Sequence, residues 1–332
     1  LLGRWWYRRG KSESDWGAAG MDALLNLYKP AGMTSREAVD AVRRILHVRR
    51  AGHTGTLDPG AEGVLLICLG KATRLNEFLQ WLPKTYRATM VLGIQTTTQD
   101  AEGEVIASTD ASSVTREMVE ATLPRFTGEI EQIPPMHSAV HHEGRRLYEL
   151  AREGKVVPRE ARKVSIYRLQ LLNFAPGEHP EAEIEVECST GTYIRTLCAD
   201  IGDALGVGGY MKSLVRTAIG AFRAEDAVTL QQLEAEGATK YPIPMAQAME
   251  GILPVWKPHP RVLRLFRLGR FVKPKPFPPV PLPAEKPPYI AVLDAAGELF
   301  AIATVRRDEV WPYKVFGERV LYHPRSVEED LG

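Results

Sequence analysis

The chain has 332 residues, 44% of them hydrophobic and 25% charged, with a formal net charge of +1. This is the composition of an ordinary globular protein of roughly two domains, and no apolar run approaches the about 20 residues that a membrane-spanning helix needs. Three cysteines, Cys68, Cys188 and Cys198, form neither a paired framework nor a metal-ligand spacing. A reducing, cytoplasmic setting without a bound metal is therefore expected.

Residues 1–20 differ from the rest. Trp5, Trp6 and Tyr7 stand beside Arg8 and Arg9, ahead of a polar stretch without the apolar core of a signal peptide. They are read as a leader or disordered extension, because a patterned strand, ALLNLY, begins just after Met21. Thr34 and Glu37 have the spacing of a capping box, which predicts a helix through about Leu46 with Val39, Val42, Ile45 and Leu46 on one face.

The segment GHTGTLDPGAEG (52–63) then puts Asp58 in a glycine-rich loop directly before the apolar run VLLICLG. Glycines let the backbone approach a bulky ligand, and Pro59 biases Asp58 towards an extended or turn conformation. An acid at the mouth of a buried strand is suited to act as nucleophile or base, although Asp-Pro in such a loop is equally the mark of a turn. The loop is not a dinucleotide fingerprint, since its glycines never fall as G-x-G-x-x-G. LGKAT (69–73) is not a phosphate-binding loop either, because Leu65 stands where that motif needs glycine.

Tyr86 to Leu92 alternates as a strand ended by Gly93. Glu181 to Cys188 alternates most clearly, with four glutamates on one face and Ala182, Ile184, Val186 and Cys188 on the other. The STGT turn leads into a helix with Ile194, Leu197, Cys198, Ile201 and Leu205 on one face, closed by Gly206. A mixed α/β core, of the α+β class, is thus expected over residues 21–251. Beyond Pro254 an arginine-striped helix (261–268), a proline-rich stretch and two strands, Tyr289–Leu293 and Leu299–Val305, predict a small β-rich domain over residues 255–332.

Charge is patchy despite the neutral total. Residues 257–275 carry seven lysines and arginines and no acid, Arg43, Arg44, Arg49 and Arg50 precede the glycine-rich loop, and a third cluster spans Arg145 to Lys163. Such runs are usually solvated faces, yet three of them in one chain make nucleic acid a serious candidate partner. For Asp58 the candidate partner is Arg195 in GTYIRT, where a guanidinium would orient the carboxylate, although spacing alone also allows a surface arginine at a helix start. Tyr86 offers a ring to stack on a base or is simply a packing residue. His53 reads as a base, a wedge or a core histidine. The spacing of His137 and His141, with His142 adjacent, hints weakly at metal, without a supporting HExxH pattern.

Five blocks occur in order: LLNLYKPAGMTS, AGHTGTLDPGAEGVLLICLGKATRL, KTYRATMVLG, CSTGTYIRTLCADIGDALG and KSLVRTAIGAF. Together, and with VPREARKVSIY at 157–167, they resemble the bacterial tRNA pseudouridine-55 synthases from about Leu24 to Leu233. The resemblance implies a mixed-sheet pseudouridine synthase core followed by a PUA-like RNA-binding domain, with an RNA-gripping insertion at about 134–163. It implies that Asp58 is the catalytic aspartate, that Arg195 pairs with it, and that Tyr86 stacks on the target uracil and takes the C5 proton. His53, Tyr193, Leu214 and Lys29 are implied as substrate-contacting positions. Tyr28 stands where many members carry Asp, and His137, His141 and His142 replace more usual residues near the insertion.

The implied reaction turns the T-loop uridine of tRNA into pseudouridine on an extruded base, with no cofactor, no metal, no membrane, no obligatory protein partner and a monomeric enzyme. Chaperoning of tRNA folding is an expected second activity, and a guide-RNA-dependent synthase subunit is the alternative.

Overall fold

The computed structural model describes residues 20–136, 141–142, 145–146, 153, 157–236, 240–274 and 288–317. The chain forms two compact units. The first is Leu25–Ile67 with Asn76–Tyr241; the second joins the segment ending at Leu24, Cys68–Leu75 and the chain from Pro242 onward. Composition puts the change of character after Pro254, whereas packing gathers Pro242 and its successors with the C-terminal strands.

The first unit is built on a mixed sheet of β1 (Ala23–Lys29), β2 (Glu62–Leu69), β3 (Lys84–Leu92), β4 (Gly128–Gln132), β5 (Arg162–Ala175), β6 (Glu181–Cys188) and β7 (Gly209–Ile219), in the order β1-β2-β7-β3-β6-β5-β4. β7 runs parallel to β2 and antiparallel to β3, and β6 is antiparallel to both β3 and β5. The apolar run read as a buried strand is β2, covered on both faces from Gly63 to Leu69, as a strand inside a sheet must be.

In β6 the predicted alternation holds. Its apolar residues enter a core with Met90, Leu92, Leu197 and Ile201, while the glutamates stay half-buried beside cations. Arg168 reaches Glu185 at 2.6 Å, and Arg87 sits between Glu183 and Glu185 at 3.6 and 3.8 Å. Exposed pairs of this kind add at most about 1 kcal/mol each, so the register depends mainly on the buried face.

Two helices position the site. α1 (Ser35–Ile45) begins at Thr34, whose side chain accepts from the Glu37 amide while Glu37 accepts from the Thr34 amide; the predicted capping box is present. α2 (Ile194–Ala204) buries Ile194, Leu197, Cys198 and Ile201 and ends at Leu205, with Gly206 at a φ of 79°. Half of the RNA-gripping insertion expected at about 134–163 falls outside the described residues. Its two limbs leave and re-enter the sheet side by side, with Gln132 paired to Arg162.

The second unit contains β8 (Val255–Trp256), β9 (Tyr289–Leu293), β10 (Leu299–Arg306) and β11 (Glu309–Val315), in that spatial order. Against this small sheet α3 (Pro260–Arg267) lays Leu263 and Phe266, leaving Arg261, Arg264 and Arg267 exposed. In the same unit Arg74 donates to the Val315 carbonyl at 2.7 Å, and Lys314 to that of Arg74 at 2.6 Å. A small β-rich C-terminal domain, as expected, is what the chain forms.

Gly63 joins fold and site. Its φ is 108°, and a Cβ there would fall 2.3 Å from the Arg216 carbonyl oxygen, a backbone atom held in the β2–β7 ladder. Gly63→Ala is expected to lower unfolding stability by about 2 kcal/mol or more, read by urea denaturation. An unchanged midpoint would show that these two strands separate freely.

Candidate active site

Asp58 sits at the tip of a loop with little ladder pairing of its own, so other groups must hold it. The Ala61 amide closes a turn onto the Asp58 carbonyl at 3.1 Å. Ser35, in the first turn of α1 and 3% exposed, both accepts from the Leu57 amide and donates to the Leu57 carbonyl, each at 2.8 Å. On the other side, the Gly32 amide donates to the Pro59 carbonyl at 2.9 Å. The backbone on each side of the carboxylate is thereby fixed from α1 and from the β1–α1 turn.

The side chain itself meets Arg195. Nη2 lies 3.2 Å from Asp58 Oδ2, and Nη1 lies 3.2 Å from Asp100 Oδ2. Arg195 is the second residue of α2, and its side chain is 7% exposed, against 46% for Asp58 and 13% for Asp100. A buried guanidinium clamped between two carboxylates leaves one of them open to solvent with its direction set. Asp100 is itself held, its Oδ1 accepting from the Thr98 hydroxyl and from the Glu102 amide.

Tyr86 lies on β3 with its side chain turned inward, 9% exposed. Burial pushes its phenol pKa up, the charge of Arg216 works against that rise, and the charge of Asp58 reaches it. Leu214, 8% exposed on the neighbouring β7, belongs to the same apolar cluster. Tyr193 caps α2 and exchanges two hydrogen bonds with the buried Gln132, its amide donating at 3.0 Å and its carbonyl accepting at 3.2 Å. His53 is held below the usual imidazole range, first by burial and then by the charge of Arg216; among the described residues its buried Nδ1 has no partner.

Lys29 departs from a residue waiting on the surface for RNA. It is fully buried, and its ammonium donates to the carbonyls of Pro30, Met33 and Pro59 at 2.8, 2.6 and 3.4 Å. A long flexible cation finds acceptors inside when three backbone oxygens converge, so here it braces the β1–α1 turn against the Asp58 loop. The structure thus joins Asp58 and Arg195 by contact and Tyr86 by its electrostatic reach. His53, Leu214 and Tyr193 are set in the flanking elements, and Lys29 is turned away from solvent.

Sequence reasoning missed Asp100, Ser35, Lys84 and Arg216. Only Arg216 carried a readable signal, because Leu214, Arg216 and Ala218 alternate inward along β7. Among the described residues no three His, Cys, Asp or Glu side chains converge in a way that would hold a metal.

With this geometry in view, comparison with known proteins is specific. Residues 43–194 match the TruB family pseudouridylate synthase N-terminal domain, and residues 195–254 match the tRNA pseudouridylate synthase B C-terminal domain. The chain is 54% identical over 225 residues to the tRNA pseudouridine synthase B of Symbiobacterium thermophilum, covering 68% of this chain and 75% of that one. With its counterpart in Geobacillus kaustophilus it shares 50% identity over 222 residues, 66% of this chain and 78% of the other. Among solved structures it is similar to a chain in the crystal structure of a Cbf5-Nop10-Gar1 complex, with a TM-score of 0.69 and 26% identity over 94% of this chain and 95% of that one. The fold is that of the pseudouridylate synthases. Within that class, the chain belongs to the TruB family.

Lys84, buried beneath Tyr86 on the same face of β3, donates to the Gln80 carbonyl. Burial, aided by the charge of Arg216, pushes its amine from 10.5 down to about 8. The unfolded chain therefore holds this proton more tightly than the folded one, and the group's contribution to stability rises with pH between about 8 and 10.5. The unfolding free energy of wild type minus that of Lys84→Met should grow by on the order of 3 kcal/mol from about pH 7 to about pH 10.5. Urea denaturation of both proteins at the two pH values measures this, and a difference independent of pH would refute it.

Proposed function

We propose that this chain isomerises the T-loop uridine of tRNA, position 55, to pseudouridine. The observation that carries the reading is the half-exposed Asp58 carboxylate held 3.2 Å from the buried Arg195, its charge reaching Tyr86, in a chain about half identical over two thirds of its length to tRNA pseudouridine synthases B. In this reaction the N1–C1′ bond breaks, the uracil turns, a C5–C1′ bond forms, and the proton on C5 is lost while N1 gains one. Nothing is oxidised and no group is imported.

A single oriented carboxylate suits this chemistry, as nucleophile or as base. Arg195 holds it for the sugar and base, and Asp100 holds Arg195. The target base leaves its stack at a cost of a few kcal/mol and meets Tyr86 and Leu214. The apolar side chains of Tyr86 and Leu214, once covered by the base, would help to keep water from the activated sugar. His53, half-buried and with its imidazole pKa held down by burial and by the charge of Arg216, is suited to occupy the space that the base vacates. The exposed arginines of α3 favour phosphate contacts. They also support a second role in helping tRNA to fold.

The higher identity to tRNA pseudouridine synthase B than to the Cbf5 chain favours action on bare tRNA without guide RNA, and a monomer working in the cytoplasm belongs to the same proposal.

Asp58→Asn is expected to abolish pseudouridine formation on a T-arm stem-loop, with RNA affinity within about 3-fold of wild type, since the phosphate-binding cations are untouched. Asp100→Asn should slow turnover about 10- to 100-fold with affinity likewise retained, because Arg195 loses one of its two anchors. Mapping of modified uridines together with filter binding reads both. Substantial turnover by the Asp58 variant would overturn the assignment.

A further inference from the structure

Arg216 heads the fully buried side chains by size, at 1% exposure. Removing a guanidinium from water is costly unless several acceptors meet it in good geometry. Here they do. Nε donates to the Val64 carbonyl at 2.7 Å, Nη1 to that of Thr56 at 3.2 Å and Nη2 to that of Gly55 at 3.1 Å. These oxygens lie on both limbs of the loop whose tip is Asp58, so one planar group closes the loop's base.

The same residue is the direct cross-strand partner of Tyr86 in the β7–β3 ladder, so its side chain stands on the face of the sheet that carries the phenol, and its charge reaches that phenol. Directly opposed residues share one face of a sheet with their Cβ atoms about 5 Å apart, so this proximity follows from the register itself. The charge of Arg216 also reaches Lys29, His53 and Lys84. Unlike Arg195, it touches the loop only through backbone oxygens, and so it acts on the carboxylate by holding what carries it.

We propose that Arg216 is a positioning residue of the isomerisation, one guanidinium that fixes the loop bearing Asp58 relative to the phenol of Tyr86. The assignment rests on the reading of the chain as a pseudouridine synthase. A lysine cannot replace it fully, because three separate nitrogens of one rigid planar fork meet the carbonyls of Val64, Thr56 and Gly55, and a single ammonium does not reproduce that spread.

The test uses the whole chain carrying Arg216→Lys or Arg216→Met, each also combined with Tyr86→Phe. Amide hydrogen exchange over residues 54–64, affinity for a T-arm stem-loop and the single-turnover rate of pseudouridine formation are measured. Loop amides should exchange at least about 10-fold faster while the strand amides of β3 and β6 keep their protection. The single-turnover rate should fall about 100-fold or more with affinity within about 3-fold, and Arg216→Lys should recover part of what Arg216→Met loses. In the Tyr86→Phe background the further loss from Arg216→Lys should be clearly smaller than in wild type, since the phenol through which it partly acts is gone.

Unchanged loop exchange, a loss confined to affinity, or an equal fold-loss in both backgrounds would each overturn the proposal. If Arg216→Met does not fold, Arg216→Lys carries the test. Failure of the wild type to modify the stem-loop would bring down the enzymatic reading, whereas the exchange measurement reports on Arg216 without any turnover.

Discussion

A carboxylate that must reach RNA cannot be buried, and one that must point in a single direction cannot be left to water. The Arg195 guanidinium resolves this conflict. It lies almost wholly inside the protein, meets Asp58 from behind and is itself tied to Asp100. Replacing either partner would leave a buried charge with half its neutralisation, and the desolvation of an unpaired guanidinium costs several kcal/mol. Orientation at the surface is therefore underwritten by electrostatics in the interior.

The sheet makes that arrangement possible. Arg195 enters from the first turn of α2, immediately after the turn that follows β6, while Tyr86 and Arg216 are opposed on β3 and β7. β2 runs parallel to β7 and delivers the Asp58 loop at its entrance, where Gly63 passes against the Arg216 backbone too closely for any side chain. Segments far apart in sequence, around residues 35, 58, 86, 100, 195 and 216, converge because neighbouring strands set their spacing. The loop itself contributes little regular pairing.

Much of this was legible in the sequence, for identifiable reasons. The capping box at Thr34 and Glu37, the alternation of β6 and the glycine that stops α2 are local devices. Each depends on neighbours a few residues away, and the structure reproduces each. The residues alone offered Arg195 only as a candidate partner of Asp58 beside a surface reading, and the family resemblance singled it out, since no spacing rule links residues so distant. The burial of Lys29 was not legible because sequence does not reveal backbone carbonyls converging on an ammonium. Asp100 was invisible for a similar reason: its value lies in a contact with Arg195 that only the folded chain creates. The domain division was not legible because Cys68–Leu75, the end of β2 and the short helical turn after it, packs with the C-terminal strands.

One residue type, arginine, appears here at three depths with three kinds of partner, and depth decides the partner. Arg216, sealed in the sheet, is matched to neutral carbonyls, where a carboxylate brought alongside would add its own desolvation cost. Arg195, buried but bordering the cleft, is matched to carboxylates, one inside and one outside. Arg261, Arg264 and Arg267 on α3 remain in water, where a diffuse and salt-screened attraction for phosphate costs no desolvation in the free protein. A net charge of only +1 is consistent with this sorting. The cations that orient the chemistry are those removed from solvent, and the cations suited to gather RNA are those left in it, so the strength of RNA contact can change on the surface without disturbing the geometry around Asp58.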